Sequence, residues 1–463
     1  MRVFQDKDWE YCVAQWEGLG KRLTWAAHFR MTFYSDRRRN WKGKMRMFVG
    51  YWIQWIQFYW SCWRHLFRNP KPIAAVKYFI VLDTNNAYLN CLMPICEALI
   101  KQHPENDYLF FVPKEKYKLV AQKFAAAKLP TTRLITEAAI PVERKWLKVF
   151  TSKLLAVIDL LKWLSYFPVQ GWFYVPAFTK FSFQEHFYGA AIHKIVGATK
   201  YLIGASDQWF WDAIFFDAAL PSNCTSIIVQ HGLIGEFCYP MLTKHYAVWG
   251  ANDVSVLCDT YGAAKERVCI IGSPYFDAFE KQWKHDATVA THELPLVTFF
   301  AQPYFKYNYL GTGKYKAVVE WFMNCATLIG ENGKQGLLKF HPLDHPADYP
   351  AATGGIKHSK EALMPVLKQT CIAITVDSAV AYECVEAGIP VIQLANDYHR
   401  FVDLSAGGFT IKVSSAEELQ AQLHALLHSA EAYKGAQEQA REGRKQYIAN
   451  AGSSVTYFLQ KFS

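Results

Sequence analysis

From Lys77 onward the sequence alternates short, continuous apolar runs with longer amphipathic segments, and this alternation constrains the fold more than any other feature. The first runs are "KYFIVL", "YLFFV" and "RLIT", and helical stretches such as "AYLNCLMPICEALIKQ" separate them. A continuous apolar run is typical of a strand buried on both faces, whereas a strand with one solvated face alternates apolar and polar residues. The pattern therefore predicts parallel β-sheets covered by helices on both sides.

The alternation runs through two series with a connection between them. The first series continues with "KYLIGA", "SIIVQ", "HYAVWG" and "VCIIGSP", and residues 276–293 then carry little strand character. The second series contains "LPLVTFFAQP", "LLKFHP", "CIAITVD" and "PVIQL". Since 463 residues exceed what one core usually fills, we predict two Rossmann-type, doubly wound α/β domains, residues 71–285 and 286–463. The second domain ends in helices, the first of them with a serine N-cap.

Residues 1–70 differ in composition and predict a helical N-terminal extension. The basic stretch "SDRRRNWKGKMR" precedes an uncharged, aromatic stretch, Met47–Trp63. Such a pair fits a helix lying in the membrane interface, held by apolar insertion and by anionic lipid, and it equally fits a helix packed on the protein's own core. Lys145–Phe183 is a second case: it reads as a crossover helix or as an extension of the same membrane-facing surface.

Charge and cysteine content limit the partners and the compartment. Lys and Arg number 50 against 40 Asp and Glu, so the chain favours anionic partners. No RNA- or DNA-reading motif is present, and nucleic acid is not an expected partner. The 11 cysteines are scattered without a C-x-x-C pair, which is typical of reduced thiols. The first residues also lack a secretory pattern, so we expect a cytoplasmic protein.

Polar residues follow several predicted strands at their carboxyl ends, where open parallel sheets bind ligands. They are Asp83, His231, Gln302, His341 with Pro342, and Asp377 with Ser378. We expect Ser378 to cap a predicted helix, whose free N–H groups attract an anion such as a nucleotide phosphate. Glu383 lies in that helix and could accept hydrogen bonds from two ribose hydroxyls. Lys339 adds positive charge beside His341. Taken singly, each feature also fits an ordinary capped helix or a surface histidine.

Together these motifs resemble a known group of enzymes. "LKFHPLD" followed by "LKQTCIAITVDSAVAYECVEAGIPVIQL" resembles the C-terminal domain of GT-B glycosyltransferases of bacterial envelope polysaccharides, in particular the CMP-sugar-using Kdo- and sialyltransferase types. The CDP-glycerol glycerophosphotransferases are similar. The resemblance implies that His341, Pro342 and Ser378 hold the donor phosphate and that Glu383 holds the ribose, which makes residues 286–463 the nucleotide-donor domain. No divalent metal and no cofactor are expected, because these side chains and the helix start would stabilise the leaving phosphate.

The first domain carries the matching acceptor-side motifs. "VQHG", "HYAVWGANDVSVL" and "VCIIGSPYFDAF" resemble the acceptor domain of the same group. The resemblance implies that His231 is the catalytic base. Asp83 is a second candidate for that role, and Glu236 is a third, which could orient the histidine.

The expected function is therefore inverting transfer of a sugar, with a CMP-sugar as the favoured donor, to a membrane-linked glycan of capsule or lipopolysaccharide. The protein would work at the inner face of the plasma membrane, peripherally attached to its anionic surface. A CDP-glycerol-type glycerophosphotransferase, a sugar-nucleotide 2-epimerase and a non-enzymatic scaffold for polysaccharide export remain alternatives.

Overall fold

The protein contains two parallel sheets, as the alternation of apolar runs predicts. The computed structural model describes residues 45, 48–50, 52–53, 55–57, 60, 72–82, 86–143, 145–166, 175–207, 210–235, 238, 241–286, 291–307, 312–352, 355–395 and 402–462. Within these residues the sheets have seven and six strands, and every strand pair is parallel. We call the two halves the first lobe and the second lobe.

The first lobe is built on a sheet of order β3-β2-β1-β4-β5-β6-β7. Its strands are β1 (Tyr78–Val81), β2 (Tyr108–Phe111), β3 (Leu134–Ile135), β4 (Tyr201–Gly204), β5 (Thr225–Val229), β6 (His245–Val248) and β7 (Val268–Ile270). Its helices are α1 (Asn86–Gln102), α2 (Tyr117–Ala126), α3 (Lys145–Tyr166), α4 (Val175–Gly197), α5 (Phe210–Ala219), α6 (Ala251–Ser255) and α7 (Pro274–Asp286). Residues 276–286, which the sequence marks as a connection, thus belong to a helix.

The strands of the first sheet form because both of their faces are covered. All residues of β1, β2 and β4 are buried. Phe79 and Val81 point into one apolar cluster, and Tyr78 and Ile80 point into the cluster on the other face. Successive side chains of a strand point to opposite faces, so an uninterrupted apolar run satisfies both clusters.

The second lobe is built on a sheet of order β10-β9-β8-β11-β12-β13. Its strands are β8 (Leu296–Phe300), β9 (Gln335–Lys339), β10 (Ile356–Ser359), β11 (Thr370–Thr375), β12 (Val391–Leu394) and β13 (Ile411–Val413). Its helices are α8 (Tyr304–Tyr307), α9 (Thr312–Met323), α10 (Ala326–Glu331), α11 (Leu363–Leu367), α12 (Val380–Glu386), α13 (Ala416–His428), α14 (Ala430–Tyr447) and α15 (Ser454–Lys461). The predicted serine cap is Ser415, whose hydroxyl accepts the N–H of Glu418.

The end of the chain returns to the first lobe. Phe458 and Phe462 of the α15 region are buried in the same cluster as the β1 residues Tyr78 and Ile80. The carboxylate of Asp277 in α7 holds the start of α15, because it accepts the N–H of Gly452 at 2.6 Å and the N–H of Ser454 at 2.8 Å. The last helix therefore fastens the two lobes to each other.

The two segments with membrane-like composition have different outcomes. Much of Met47–Trp63 lies outside the described residues, and those that are described are helical, with Trp52, Ile53, Ile56 and Trp60 exposed. The described residues of Lys145–Phe183 form α3 and the first part of α4, which lie in the crossover between β3 and β4. Among the described residues, no helix combines the length and the apolar composition that crossing a bilayer requires.

Candidate functional site

In each sheet there is one point where the strand order reverses, and the predicted site residues lie near these two points. In the first sheet β1 and β4 are neighbours, and in the second sheet β8 and β11 are neighbours, so their following loops diverge and leave room for a ligand. His231 follows β5, the next strand after β4. Gln302 follows β8, and Asp377 with Ser378 follows β11.

His231 is fixed in one tautomer by a backbone hydrogen bond. Its Nδ1 lies 2.7 Å from the carbonyl oxygen of Ala205, just after β4. A carbonyl oxygen can only accept, so Nδ1 carries the hydrogen and Nε2 is a bare acceptor. The ring centroid of Tyr88 in α1 lies 3.6 Å from that of His231. Burial lowers the pKa of His231 to about 4, against the backbone hydrogen bond, which raises it. The imidazole is therefore neutral at pH 7.

Gln230 holds the histidine in place and connects it to the neighbouring strand. Its side-chain amide donates to the carbonyl of Gly232 at 3.0 Å and accepts the backbone N–H of Trp249 at 2.8 Å. Its own carbonyl accepts the indole N–H of Trp249 at 3.1 Å. The Gln-His-Gly motif thus combines a structural glutamine with a histidine whose Nε2 makes no hydrogen bond to the described residues.

The ends of β6 and β7 contact the second lobe. The ring of Trp249 lies edge-on to that of Tyr382 in α12 at 5.2 Å, and the ring of Phe276 stacks on Tyr382 at 5.3 Å. The hydroxyl of Tyr275 donates to Oε1 of Glu383 at 3.0 Å. Because Gln230 binds Trp249 and Trp249 packs on Tyr382, His231 and Glu383 are linked through a short series of contacts that crosses the lobe boundary.

Glu383 has one carboxylate oxygen without a partner. The side chain is 7 % exposed, and Oε2 has no hydrogen-bond partner among the described residues. Burial raises the pKa of Glu383 to about 7, against the hydrogen bonds from its own backbone N–H and from Tyr275, which lower it. A buried polar atom without a partner is costly. This oxygen therefore marks the position where a ligand hydroxyl would gain most.

His341 is fixed in the opposite tautomer from His231. The backbone N–H of Leu343 donates to its Nδ1 at 3.2 Å, so a neutral His341 carries its hydrogen on Nε2 and is a donor there. Asp344 holds the turn, because its Oδ2 accepts the N–H of His341 at 2.9 Å and the hydroxyl of Tyr349 at 2.9 Å. Pro342 is the next residue of this turn and is exposed. A donating histidine suits a phosphate oxygen.

Two tyrosines join the loops that follow β8, β9 and β11. The hydroxyl of Tyr349 also lies 3.2 Å from the carbonyl of Gln302, which ties the His341 turn to the end of β8. The hydroxyl of Tyr304 donates to Oδ1 of Asp377, which ties the β8 loop to the end of β11. Gln302, His341 and Asp377 are thus held in one assembly.

Ser378 and Lys339 complete the predicted donor set. The hydroxyl of Ser378 accepts the N–H of Val380 at 3.2 Å, but the helix begins at Val380 with Ala379 as its N-cap, so the predicted cap at Ser378 is wrong by one residue. Lys339 is the last residue of β9 and is buried. Burial lowers the pKa of Lys339, whereas Glu361 raises it.

Asp83 and Glu236 lie outside the described residues, so their predicted roles stay predictions. The structure adds a carboxyl that sequence reasoning missed: Asp253 is buried, and burial raises its pKa to about 7 against hydrogen bonds from Gln230 and nearby backbone N–H groups. Sequence reasoning also missed Tyr275, although it lies inside the quoted motif "GSPYFDAF". Its role depends on contact between the lobes, which no local pattern encodes.

Two Rossmann-type lobes joined in this way define the GT-B fold. No protein-family model matches the chain, and no curated protein matches it in sequence. Among solved structures, S. aureus MnaA in complex with UDP is 13% identical, covers 83% of this chain and 97% of its own, and has a TM-score of 0.50.

Two further solved structures complete the comparison. The UDP-GlcNAc 2-epimerase from Neisseria meningitidis, bound to UDP-GlcNAc, is 12% identical, covers 83% of this chain and 99% of its own, and has a TM-score of 0.51. The wall teichoic acid polymerase TagF is 10% identical, covers 92% of this chain and 98% of its own, and has a TM-score of 0.45, too low to support an inference. At these identities the likeness establishes the fold.

Proposed function

We propose that this protein is an inverting glycosyltransferase that moves a sugar from a nucleotide sugar, with a CMP-sugar as the favoured donor, to a membrane-linked glycan acceptor in capsule or lipopolysaccharide synthesis. One observation carries the proposal: an imidazole nitrogen without a hydrogen on the first lobe, at His231, is linked across the lobe boundary to a carboxylate oxygen of Glu383 on the second, which has no hydrogen-bond partner among the described residues. The first suits proton abstraction, and the second suits a ribose hydroxyl.

The transfer needs a base on one lobe and a nucleotide site on the other. The oxygen of the acceptor hydroxyl forms a bond to the anomeric carbon, and its proton passes to Nε2 of His231. The bond between the anomeric carbon and the donor's phosphate oxygen breaks, and its electron pair leaves with the phosphate. Because the pKa of His231 is about 4, the imidazole is a weak base that is fully deprotonated at pH 7, and the imidazolium formed in the transfer readily gives its proton to water and resets the site.

The nucleotide would be held by the second lobe. Glu383 accepts ribose hydroxyls, and His341 donates from Nε2 to a phosphate oxygen. Lys339 and the N–H groups at the start of α12, two residues after Ser378, add positive potential as charge develops on the leaving group. Two structural neighbours carry UDP or UDP-GlcNAc, which supports a nucleotide sugar as the ligand class. Asp83 remains a proposed second base, and Glu236 a proposed orienting group.

The acceptor would be presented by the inner face of the plasma membrane. The excess of 50 Lys and Arg over 40 Asp and Glu favours an anionic surface. Exposed apolar side chains in the described part of the N-terminal helix, such as Ile53, Ile56 and Trp60, suit the headgroup boundary. We therefore propose a cytoplasmic enzyme that is attached peripherally to the membrane.

A sugar-nucleotide 2-epimerase is the second candidate, because two lobes of the same kind occur in an epimerase at a TM-score of 0.51. An epimerase converts a nucleotide sugar without an acceptor, so it would have no use for a membrane-linked glycan. A glycerophosphotransferase would instead consume CDP-glycerol and release CMP.

The deciding experiment is a ligand screen followed by a product assay. A nucleotide that binds the native state raises the melting temperature, and we expect CMP to do so more than CDP, UDP or GDP. With CMP-sugars and bacterial membranes as acceptor, we expect CMP release that depends on the membranes. A preference for UDP, with UDP-GlcNAc epimerised in the absence of membranes, would replace the proposal with the epimerase.

A further inference from the structure

Helix α3 turns its apolar side to solvent. Trp146, Phe150, Leu154, Val157, Ile158 and Leu161 are exposed, with Phe150 at 69% and Leu161 at 64%. At about 100° per residue these side chains lie within one third of the helix circumference. A surface helix of a globular protein normally buries its apolar side chains, and α3 does so with Val149 and Ala156, so the exposed residues form a second apolar face that faces solvent.

The opposite side of α3 is anchored on the protein, with Val149 and Ala156 in the core. Asp159 is buried, and its Oδ2 accepts the hydroxyl of Ser182 at 2.7 Å and lies 2.6 Å from Nε2 of His186, both residues of α4. If the apolar face turned inward, Asp159 would lose its contacts with Ser182 and His186. The orientation of α3 is therefore fixed by its hydrogen bonds.

The charges of α3 indicate what covers its apolar face. The helix carries four lysines, Lys145, Lys148, Lys153 and Lys162, and its one acidic residue is the buried Asp159. At about 100° per residue Lys153 lies beside one edge of the apolar face, whereas Lys148 lies on the anchored side close to Asp159. An apolar face with a lysine at its edge, on a helix whose charge is positive, suits an anionic lipid surface. A second copy of this basic chain would bring lysines against lysines.

The position of α3 suits presentation of a lipid-linked acceptor. Its partner α4 enters β4 from the amino edge of the first sheet, so its other end points towards the carboxyl edge, where His231 lies. With 23 residues, α4 is about 34 Å long. We therefore expect the hairpin of α3 and α4 to reach the side of the lobe that carries the candidate site.

We propose that the exposed apolar face of α3 is a docking surface for an anionic lipid bilayer, with the helix lying in the headgroup boundary. This inference deepens the proposed function, on whose membrane-linked acceptor it rests. Binding of the α3 face to membranes is nevertheless tested without any sugar donor.

The test is vesicle co-sedimentation of the full chain. Vesicles of phosphatidylcholine with phosphatidylglycerol should bind the wild type, and a Phe150→Glu, Leu154→Glu double variant should lose at least about tenfold in partition coefficient because two large apolar side chains are withdrawn. The matched control is Tyr457→Glu, which changes an exposed aromatic residue of α15 and should bind as the wild type does.

The lysines give an independent arm of the test. Replacing Lys153 by Ala should weaken binding to the anionic vesicles by about fivefold, with little effect on pure phosphatidylcholine vesicles, and added salt should reduce the difference. An identical loss on both kinds of vesicle would contradict the electrostatic part of the proposal.

Two results would overturn it. The wild type could fail to bind anionic vesicles, or the double variant could bind them as the wild type does. If that variant also turns a dimer into a monomer, the face is assigned to self-association. Thermal shifts with CMP are measured on the same variants, so a failure of nucleotide binding is separated from a failure of membrane docking.

Discussion

At the scale of single residues, two histidines at strand ends are fixed in opposite tautomers by backbone groups. His231 donates from Nδ1 and leaves Nε2 bare, whereas His341 accepts at Nδ1 and keeps its hydrogen on Nε2. A bare nitrogen can take a proton, and an N–H can donate to a phosphate. Identical side chains are thus prepared for different roles by the atoms next to them.

The low pKa of His231 gives a prediction about pH. The base form of His231 should persist down to about pH 4 and be lost below it. Since Glu383 and Asp253 both have a pKa of about 7, kcat/KM is best measured in a Glu383→Gln, Asp253→Asn double variant. In that variant we expect no acid limb between about pH 8 and 5. An acid limb at pH 6 to 7 would contradict the neutral imidazole.

Glu383 gives a prediction about stability. Burial raises the pKa of Glu383 from 4.5 to about 7. The folded state therefore holds the proton more tightly than the unfolded state, and this stabilisation of the fold is fully present below about pH 4.5 and is lost as the pH rises through 7. Glu383→Gln should therefore stabilise the protein by up to about 3 kcal/mol at pH 8 and by almost nothing at pH 4. Urea denaturation at both pH values measures this.

The control for that experiment is Glu438→Gln, since Glu438 lies on the surface of α14 with a 3.9 Å ion pair to Lys434. Such a pair contributes little. An equal stabilisation in both variants, or none in Glu383→Gln, would contradict the burial of a charged Glu383.

At the scale of elements, α14 approaches the loop before β13 closely enough to require glycine. A Cβ on Gly443 would meet the backbone N of Phe409 at 2.5 Å and the carbonyl oxygen of Gly407 at 2.8 Å, whereas one on Gly435 would meet nothing within 4 Å. We predict that Gly443→Ala destabilises the protein by about 1–3 kcal/mol. Gly435→Ala in the same helix should stabilise it by about 0.5–1 kcal/mol. Denaturant midpoints of the two variants must shift in opposite directions.

The sequence alone predicts some of the strands and misses others. The runs around β1, β2 and β11 predict their strands because both faces of these strands are buried. The edge strands β10 and β13 are missed, because "IKHS" and "IKV" contain exposed lysines and lack a continuous apolar run. Periodicity likewise reveals that α3 has an apolar face and does not say which way that face turns.

Part of the candidate site could likewise be predicted from the sequence, and part could not. The position of His231 at a strand end follows from the sequence, since Gln-His-Gly ends an apolar run. The hydrogen bond from Tyr275 to Glu383 does not follow, because the two residues are far apart in the chain and meet only when the lobes pack. The contact between Asp159 of α3 and His186 of α4 could not be predicted either, because it forms only when the two helices pack.

At the scale of the whole molecule, the last helix belongs to the core of the first lobe. Phe458 is fully buried there, so Phe458→Ala should cost about 3–5 kcal/mol. The neighbouring Tyr457 is exposed, and Tyr457→Ala should cost almost nothing. Equilibrium unfolding compares the two variants, and equal stabilities would mean that Phe458 is not part of the first lobe's core.

The central claim is that His231 on the first lobe and Glu383 on the second serve one nucleotide sugar. The most direct measurement combines CMP titration calorimetry with CMP-sugar turnover for His231→Asn and Glu383→Ala. Asn can still donate to the Ala205 carbonyl, so His231→Asn should keep CMP affinity and lose turnover by at least about a hundredfold. Glu383→Ala should weaken CMP binding by about tenfold. His231→Asn turning over at the wild-type rate, or losing CMP affinity in step with turnover, would contradict the account.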